Sequence, residues 1–272
     1  MGDALKTVSR ACPLCNTPSE KAGHLHYGSE EWPMVECPSC TFVYLPRVPV
    51  YERLSEEFAW EKTSEAEREV KIKREPGKQK FSAMFKRFRQ QYLKRNKLPV
   101  LIQHYVHPGN VLDIGCAAGG LLASLPDIYA PHGVEISKAL AEQANAAVKP
   151  RGGYVVHDNA VNGTGQFSEN YFSGVIMSAF LEHEAQPVEL LRNVARALRA
   201  DGVAIIKVPN YASVNRKVRS GKWCGFRLPD HVNYFTPTTL RKTVEKAGLK
   251  VRKFTFADQV PTSDNMWMVV GR

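Results

Sequence analysis

Short apolar runs alternate with helical patterns over residues 99–272. Such alternation is typical of βαβ units, so this region is predicted to form a doubly wound α/β fold around a mostly parallel sheet. The last two predicted strands are separated only by "DQVPTS", which is too short for a crossover, so they should pair antiparallel. The predicted strands are 110–114, 131–135, 153–157, 173–178, 202–208, 250–257 and 264–270. Helices are predicted between them, including 137–147, 187–199 and 237–247.

Residues 47–98 are charged and helix-favouring, and "EPG" at 75–77 should divide them into two helices. In the second helix, over 78–96, aromatic residues recur at helical spacing and basic residues occupy the other faces. The basic side is most simply a solvated face, and contact with RNA or an acidic ligand is the alternative. The recurring aromatic residues are Phe81, Phe85, Phe88 and Tyr92.

Four of the six cysteines form two Cys-x-x-Cys pairs, "CPLC" at 12–15 and "CPSC" at 37–40. This spacing is typical of metal sites in a reducing compartment, and four thiolates form a closed tetrahedral set. Residues 1–46 are therefore predicted to be a zinc-ribbon-like module with a structural zinc. Metal binding of this kind supplies on the order of 10 kcal/mol, which so short a segment could not obtain from its core. The predicted ligands are Cys12, Cys15, Cys37 and Cys40.

Composition limits the possible classes of protein. A chain of 272 residues with 43% apolar content can bury a proper core. Neither a membrane-length apolar run nor an N-terminal signal core is present, so a cytoplasmic location is expected. The formal charge of +10 favours an acidic partner, whether nucleic acid, phosphorylated metabolite or anionic lipid.

The stretch "VLDIGCAAGG" at 111–120 is a buried-strand pattern that breaks into a glycine-rich turn. It lacks the second glycine of a dinucleotide fingerprint and the Lys-Ser/Thr of a triphosphate cradle. What remains is Asp113 before a turn that suits a ligand carrying an amine and no phosphate. About twenty residues further on, Glu135 ends the second strand, where a carboxylate can accept both hydroxyls of a ribose.

With these residues, the region 99–272 resembles the class I S-adenosylmethionine-dependent methyltransferases. "VLDIGCAAG" resembles their first motif, with Ala117 in place of its commonest middle glycine, and "GVEIS" at 133–137 resembles the second. "HDNA", "FSGVIMSAFLEH" and "LRNVARALRADGVAIIKVPN" follow in the family's order. The resemblance implies a seven-stranded Rossmann-like sheet with an antiparallel last strand, and S-adenosylmethionine as the methyl donor. It implies that the cofactor contacts Asp113, Gly115, Ala117, Gly119, Glu135, Ile136, Asp158 and Ser178, with Asp158 near the adenine.

Two further segments, "LEH" at 181–183 and "DHVNYFTPTTL" at 230–240, resemble the small-molecule branch that includes ubiquinone-pathway O-methyltransferases. The resemblance implies acceptor-side roles for His183, His231 and Tyr234, and for His183 the favoured interpretation is packing or a contact at the edge of the cofactor. His231 is the favoured general base, because an imidazole with a pKa near 6.5 can take the proton of a hydroxyl acceptor at neutral pH. The alternative is that His231 only packs or hydrogen-bonds within its loop. Some members of this branch hold a divalent cation near such residues, but Glu182 and His183 alone are too few to predict a second metal here.

The connection between strand 202–208 and helix 237–247 is long for an α/β fold and interleaves aromatic residues with cations. It is predicted to lie over the carboxyl ends of the strands and to build the acceptor pocket. Its cations favour a small acceptor bearing carboxylate or phosphate. Aromatics with cations also stack single-stranded RNA, and some ribosomal RNA methyltransferases join a zinc module to this type of domain, so RNA methylation is the alternative. A zinc-bearing adaptor without catalysis is the third hypothesis.

Overall fold

The computed structural model describes residues 7–50 and 97–272. The amphipathic helix predicted over 78–96, and nearly all of the helical connector predicted over 47–98, lie outside the described residues. Among the residues that are described, no helix is both long and apolar enough to cross a bilayer.

The N-terminal region forms a small module of short strands. β1 pairs with β5, while β2, β3 and β4 form an antiparallel meander. The two cysteine pairs lie in the turns before β2 and β4. These strands are β1 (Thr7–Ser9), β2 (Gly23–Leu25), β3 (Met34–Glu36), β4 (Val43–Tyr44) and β5 (Arg47–Pro49).

The remaining chain alternates strands and helices much as the periodicity predicts. Its strands are β6 (Gly109–Ile114), β7 (Tyr129–Glu135), β8 (Val155–His157), β9 (Phe172–Ser178), β10 (Leu198–Pro209), β11 (Asn233–Tyr234), β12 (Lys250–Lys253) and β13 (Asn265–Gly271). The described helices are α1 (Lys97–Tyr105), α2 (Gly120–Ala123), α3 (Lys138–Val148), α4 (Ala160–Gly165), α5 (Pro187–Ala197), α6 (Val214–Arg219) and α7 (Pro237–Lys246).

Seven of these strands form one sheet in the order β12-β13-β10-β9-β6-β7-β8. Strands β8, β7, β6, β9 and β10 are parallel, and β13 runs antiparallel to both β10 and β12. The predicted doubly wound, seven-stranded Rossmann-like sheet with an antiparallel last strand is therefore confirmed. The strand order reverses between β6 and β9, and in open α/β sheets ligands bind beside such a reversal, at the carboxyl ends of the strands.

Apolar layers cover both faces of this sheet, because successive strand residues point to opposite sides. On β9, Val175 and Met177 pack with α5 and α7, whereas Ile176 packs with α1, α2 and α3. Local signals fix the start of α7: Pro237 occupies its first turn, and Thr236 and Thr239 form a reciprocal capping box.

The strand predicted over 250–257 ends early, at Lys253, and the chain turns into a short 3-10 helix at Phe256–Asp258. The buried carboxylate of Asp258 explains the break. It accepts hydrogen bonds from the backbone N–H and the hydroxyl of Thr255, and it pairs with Lys97 of α1 and with Lys253 at 2.7 and 2.6 Å. Asp258 thus ends the strand early, because its carboxylate joins the end of β12 to the start of α1.

The short strand β11 joins the two parts of the molecule. It comes from the long connection between β10 and α7, yet it pairs antiparallel with β4 of the N-terminal module. The module sheet therefore has the order β11-β4-β3-β2, with one strand contributed by the α/β region.

Candidate active site

The glycine turn after β6 is held in a conformation that L-residues rarely adopt. Gly115, Ala117 and Gly119 have φ of +74°, +47° and +79°. A Cβ on Gly115 would lie 2.4 Å from the ring of Phe180, and one on Gly119 would lie 3.1 Å from Ala144 in α3. The two glycines therefore allow both the turn and the close packing around it, and Ala117 adopts the left-handed region at a modest cost in strain.

Glu135 ties this turn to the end of β7. Its buried carboxylate accepts hydrogen bonds from the backbone N–H of Ala117 and of Ser137, each at 2.9 Å. Each oxygen of an ionised carboxylate can accept a further hydrogen bond. Glu135 can thus shape the turn and still accept hydroxyl groups of a ligand.

Two more carboxylates lie at neighbouring strand ends. Asp113 is buried on β6, and burial, together with the charge of Glu135, raises its pKa to about 7. Asp158 follows β8, and its backbone N–H donates to the carbonyl of Glu135. The Asp158 carboxylate accepts hydrogen bonds from the backbone N–H of Asn159 and the amide of Gln166. Asp113, Glu135 and Asp158 therefore end three adjacent strands.

The other two cofactor residues predicted from the sequence lie at the same edge. Ile136 directly follows β7, and its carbonyl is 3.1 Å from Nε2 of His157. Ser178 is the last residue of β9 and is half-buried. The structure brings the eight predicted cofactor residues to one edge of the sheet, and their contacts with a cofactor stay a prediction.

A cavity of about 210 Å³ opens beside this edge, where β9 and β10 end and β13 begins. The long connection after β10 forms one wall of this cavity, and its role as an acceptor pocket stays a prediction. The lining comes from the strand ends at Ala179, Pro209 and Asn265, from the connection at Cys224, Gly225 and Arg227, and from the ionisable residues Glu182, His183, His231 and Asp264.

His183 is oriented by Asp230. Its Nδ1 donates a hydrogen bond to the carboxylate of Asp230 at 3.1 Å and lies 3.0 Å from the carbonyl of the same residue. Burial alone lowers the pKa of His183, but the hydrogen bond and the negative charge of Asp230 outweigh it and raise the pKa above the ordinary value. Because Nδ1 is engaged, Nε2 is the nitrogen that can accept a proton.

His231 also lines the cavity, but in a different electrostatic setting. It is 4% exposed, and its Nδ1 lies 2.8 Å from the carbonyl oxygen of Gly225. Burial, followed by the nearby charge of His183, lowers the pKa of His231 to about 3. The two imidazole rings are nearly perpendicular, with centroids 4.6 Å apart. The general-base role of His231 stays a prediction, and its low basicity argues for the neighbouring imidazole instead.

Glu182 adds a carboxylate to the two imidazoles. It is 1% exposed, burial raises its pKa, and its Oε2 has no hydrogen-bond partner among the described residues. One ligand atom each from Glu182, His183 and His231 lies within 4.8 Å of the others. A carboxylate and two imidazoles could together hold a divalent cation. The sequence showed only the first two as neighbours, because His231 reaches them from the distant connection.

Tyr234, the third acceptor-side residue predicted, lies elsewhere. It is 3% exposed, burial raises its pKa, and its ring packs against Tyr211 and Phe226 with centroids 5.9 and 5.6 Å away. It is not among the residues that line the cavity. Its chemical role stays a prediction, and its observed contacts are those of an aromatic cluster.

Asn233 is a site residue that sequence reasoning missed. Its side-chain amide donates to the carbonyls of Leu181 and Glu184, and the backbone N–H groups of Val232 and Asn233 both donate to the carbonyl of Glu182. Asn233 therefore fastens the segment that carries His231 to the segment that carries His183. The sequence offered no signal for it beyond an asparagine in a long loop.

The four cysteines of the module converge as their spacing predicts. The Sγ–Sγ distances are 3.5 Å for Cys12–Cys40, 3.4 Å for Cys15–Cys37 and 3.5 Å for Cys15–Cys40. All four sulfur atoms lie within 4.8 Å of one another. A tetrahedral zinc with bonds of about 2.3 Å has ligand–ligand edges of about 3.8 Å, so the set is compatible with structural zinc.

Comparison with known proteins decides the family. A family model described as a methyltransferase domain matches residues 85–253, which is more than half of the chain. The chain belongs to this methyltransferase family. It is an S-adenosylmethionine-dependent enzyme, as the glycine turn and the two following acidic residues led us to expect. No curated protein matches the sequence.

Solved structures share the fold of this methyltransferase. An S-adenosylmethionine-dependent methyltransferase from Mesorhizobium loti has 14% identity and a TM-score of 0.52, over 65% of this chain and 97% of that chain. One from Clostridium acetobutylicum has 10% identity and a TM-score of 0.51, over 71% of this chain and 97% of that chain. Similarity at these identities shows the fold alone.

Proposed function

We propose that this methyltransferase transfers the methyl group of S-adenosylmethionine to a hydroxyl group of a small acceptor bound in the cavity beside Ala179. The observation that carries the proposal is the hydrogen bond between Asp230 and His183, of which His183 lines that cavity. A carboxylate that orients an imidazole and raises its basicity suits the removal of a proton from a hydroxyl group. An amine acceptor would need no such pair.

The cofactor is proposed to bind on the glycine turn, with Glu135 accepting hydrogen bonds from the ribose hydroxyls and Asp158 near the adenine. The cavity and the turn are joined by consecutive residues: Ala179 lines the cavity, and the ring of Phe180 covers Gly115. An acceptor in the cavity therefore lies close to the expected methyl group.

The reaction needs little chemistry from the protein beyond positioning and removal of one proton. The methyl group of S-adenosylmethionine is already electrophilic, so the main tasks are to hold the acceptor in line and to exclude water. A lone pair of the acceptor oxygen forms the new C–O bond, and the electrons of the C–S bond return to sulfur. The proton of the hydroxyl moves to Nε2 of His183. His231, with its pKa near 3, is a much weaker base at neutral pH.

The charge of the cavity limits where an anionic acceptor could place its negative group. Two carboxylates, Glu182 and Asp264, line the cavity against one guanidinium, Arg227, which already pairs with Asp230 at 3.3 Å. The connection that supplies the lining residue Cys224 also carries exposed cations a few residues earlier in the chain, at Lys217, Arg219 and Lys222. An anionic acceptor is proposed to bind with its hydroxyl group inside and its negative group outward, toward these cations.

RNA methylation remains the alternative, but its stacking argument is weaker than the sequence suggested. Most aromatic side chains of the long connection are buried in a cluster with the N-terminal module, so their faces are not offered to bases. The non-catalytic adaptor hypothesis is set aside, because the chain belongs to an enzyme family.

Calorimetry with S-adenosylhomocysteine and candidate acceptors tests the proposal. Hydroxy acids, nucleotide-sugars and single-stranded RNA are titrated separately into the binary complex, and a hydroxyl-bearing small molecule is expected to bind. With that acceptor, His183→Ala should lower turnover by about 10² to 10⁴ and leave cofactor affinity unchanged. Loss confined to His231→Ala would restore His231 as the base. Near-normal turnover of both variants would point to an amine or pre-ionised acceptor, and selective RNA binding would reverse the choice of substrate.

A further inference from the structure

Arg10 of the cysteine module reaches into the α/β region. It lies between β1 and Cys12, and its backbone N–H donates to the carbonyl of Pro46 at 2.8 Å. Its half-buried guanidinium donates four hydrogen bonds of 2.6–3.0 Å to described residues, and its Cζ lies 5.5 Å from the centroid of the Tyr44 ring. The acceptors are the carbonyls of Leu45, Ala185 and Val232 and the side-chain oxygen of Asn233.

Three of these contacts fall on the segments that carry the ionisable groups of the cavity. Ala185 belongs to segment 181–186, which carries His183, whereas Val232 and Asn233 belong to segment 227–234, which carries Asp230. The His183–Asp230 hydrogen bond therefore spans the same two segments that Arg10 connects. A guanidinium suits this task, because its planar fork presents five donors in fixed directions.

The module holds Arg10 in place from several sides. Cys12 is two residues further along the chain, and β4, which pairs with β11, directly follows the second cysteine turn. The N–H of Leu45 donates to the same Val232 carbonyl that Arg10 contacts. The position of the guanidinium thus depends on the fold of the cysteine module.

We infer that Arg10 is a positioning residue of the acceptor site, through which the cysteine module sets the distance between His183 and Asp230. Arg10 is not among the residues that line the cavity; it connects the two segments that carry His183 and Asp230. The consequence for turnover rests on the function proposed above, whereas the geometric part can be tested without any acceptor.

Arg10→Gln and Arg10→Lys in the full chain test the inference, with Arg47→Gln as the matched control. Arg47 is an arginine of the same module that also donates to two backbone carbonyls, those of Glu30 and Glu31, but both lie within the module. Lysine keeps the charge and loses the fork, so both Arg10 variants are expected to loosen the connection.

Three measurements are made on each folded variant: local amide hydrogen exchange, the NMR signal of the His183 Nδ1 proton, and S-adenosylhomocysteine affinity. We expect amide exchange in 181–186 and 230–234 to rise at least tenfold, and the Nδ1 proton signal to broaden or disappear. Cofactor affinity should stay within twofold of wild type, and Arg47→Gln should change none of the three.

Unchanged exchange and an unchanged Nδ1 signal in a folded Arg10 variant would overturn the inference. If Arg10→Gln does not fold, Arg10→Lys decides by the same criteria. A uniform rise in exchange over the whole chain would reduce Arg10 to a general stabilising contact and also overturn it. These measurements use no acceptor. They therefore test the role of Arg10 even if the proposed hydroxyl methylation proves wrong.

Discussion

Glu135 combines a structural role with the binding role proposed for it. Its carboxylate already holds the glycine turn through Ala117 and Ser137, and the ribose hydroxyls of the cofactor would use its remaining acceptor capacity. Loss of hydrogen bonds to a charged group costs about 1.5–3 kcal/mol, which corresponds to about tenfold or more in affinity. We expect Glu135→Ala to weaken S-adenosylmethionine binding by at least that factor in calorimetry. The exposed Glu142 of α3 provides the control, and equal affinities of the two alanine variants would place the cofactor elsewhere.

The Asp230–His183 pair predicts a specific pH dependence of turnover. A base acts in its neutral form, and Asp230 raises the pKa of His183, so turnover should rise with pH through that raised pKa and level off above it. In Asp230→Asn the negative charge is lost, the pKa of His183 falls, and the rising limb should move to lower pH with a lower plateau. Glu182 and Arg227 also face His183 and act in opposite directions on its pKa.

Measurement of kcat against pH checks this shift, with Asp201→Asn as the control. Asp201 is an exposed carboxylate that pairs with Arg199, away from the cavity. If the rising part of the pH profile does not shift in Asp230→Asn, a group other than His183 controls the pH dependence of turnover.

At the scale of elements, Asp258 joins the start of α1 to the end of β12. Burial opposes its ionisation, but contacts with Lys253, Lys97 and Thr255 hold the pKa of this carboxyl well below its ordinary value. Asp258→Asn should therefore lower the free energy of unfolding by about 1.5–3 kcal/mol at pH 7.

The difference in free energy of unfolding between wild type and Asp258→Asn should become smaller as the pH falls. A depressed folded-state pKa stabilises the protein above the unfolded-state pKa of about 3.9, and this contribution is lost as pH falls below it. Urea unfolding at pH 7 and at successively lower pH measures the difference, which should shrink in acid. Asp127→Asn, which alters a fully exposed carboxylate, is the control and should show no such trend.

Across the whole molecule, the cysteine module and the α/β region share a sheet and an aromatic cluster. β11 completes the module sheet, and Trp32 of the module packs in one cluster with Tyr211 and Trp223 of the long connection. Unfolding of the module should therefore disturb the long connection that lines the cavity. The cofactor turn, which follows β6, should be less affected.

We predict one tightly bound zinc per chain at the four cysteines, removed in the double variant Cys37→Ser, Cys40→Ser. Structural zinc of this kind supplies on the order of 10 kcal/mol, so the variant should lose the fold of the module. Metal analysis and thermal unfolding check both points. A wild-type zinc content near zero, or normal unfolding of the double variant, would contradict a structural zinc.

The sequence by itself determined the sheet, the glycine turn and the cysteine set. Each depends on local information: apolar periodicity marks β6, β7 and β9, positive φ requires glycine at 115 and 119, and Cys-x-x-Cys spacing brings two thiols onto one turn. Element ends were less well determined. The strand predicted over 250–257 stops at Lys253, because its end depends on a partner in α1.

Only the tertiary structure decided which residues act together in the cavity. It paired Asp230 with His183, although Asp230 adjoins His231 in the sequence, and it brought Arg10 to both segments. Such pairs join residues that are far apart in the chain, so neither hydrophobic periodicity nor motif spacing predicts them. Burial lowers the pKa of both histidines, but the hydrogen bond and charge of Asp230 raise the pKa of His183 above its ordinary value, whereas the pKa of His231 stays low. The sequence does not show which groups surround each histidine in the folded protein, and those surroundings determine which of the two is the stronger base.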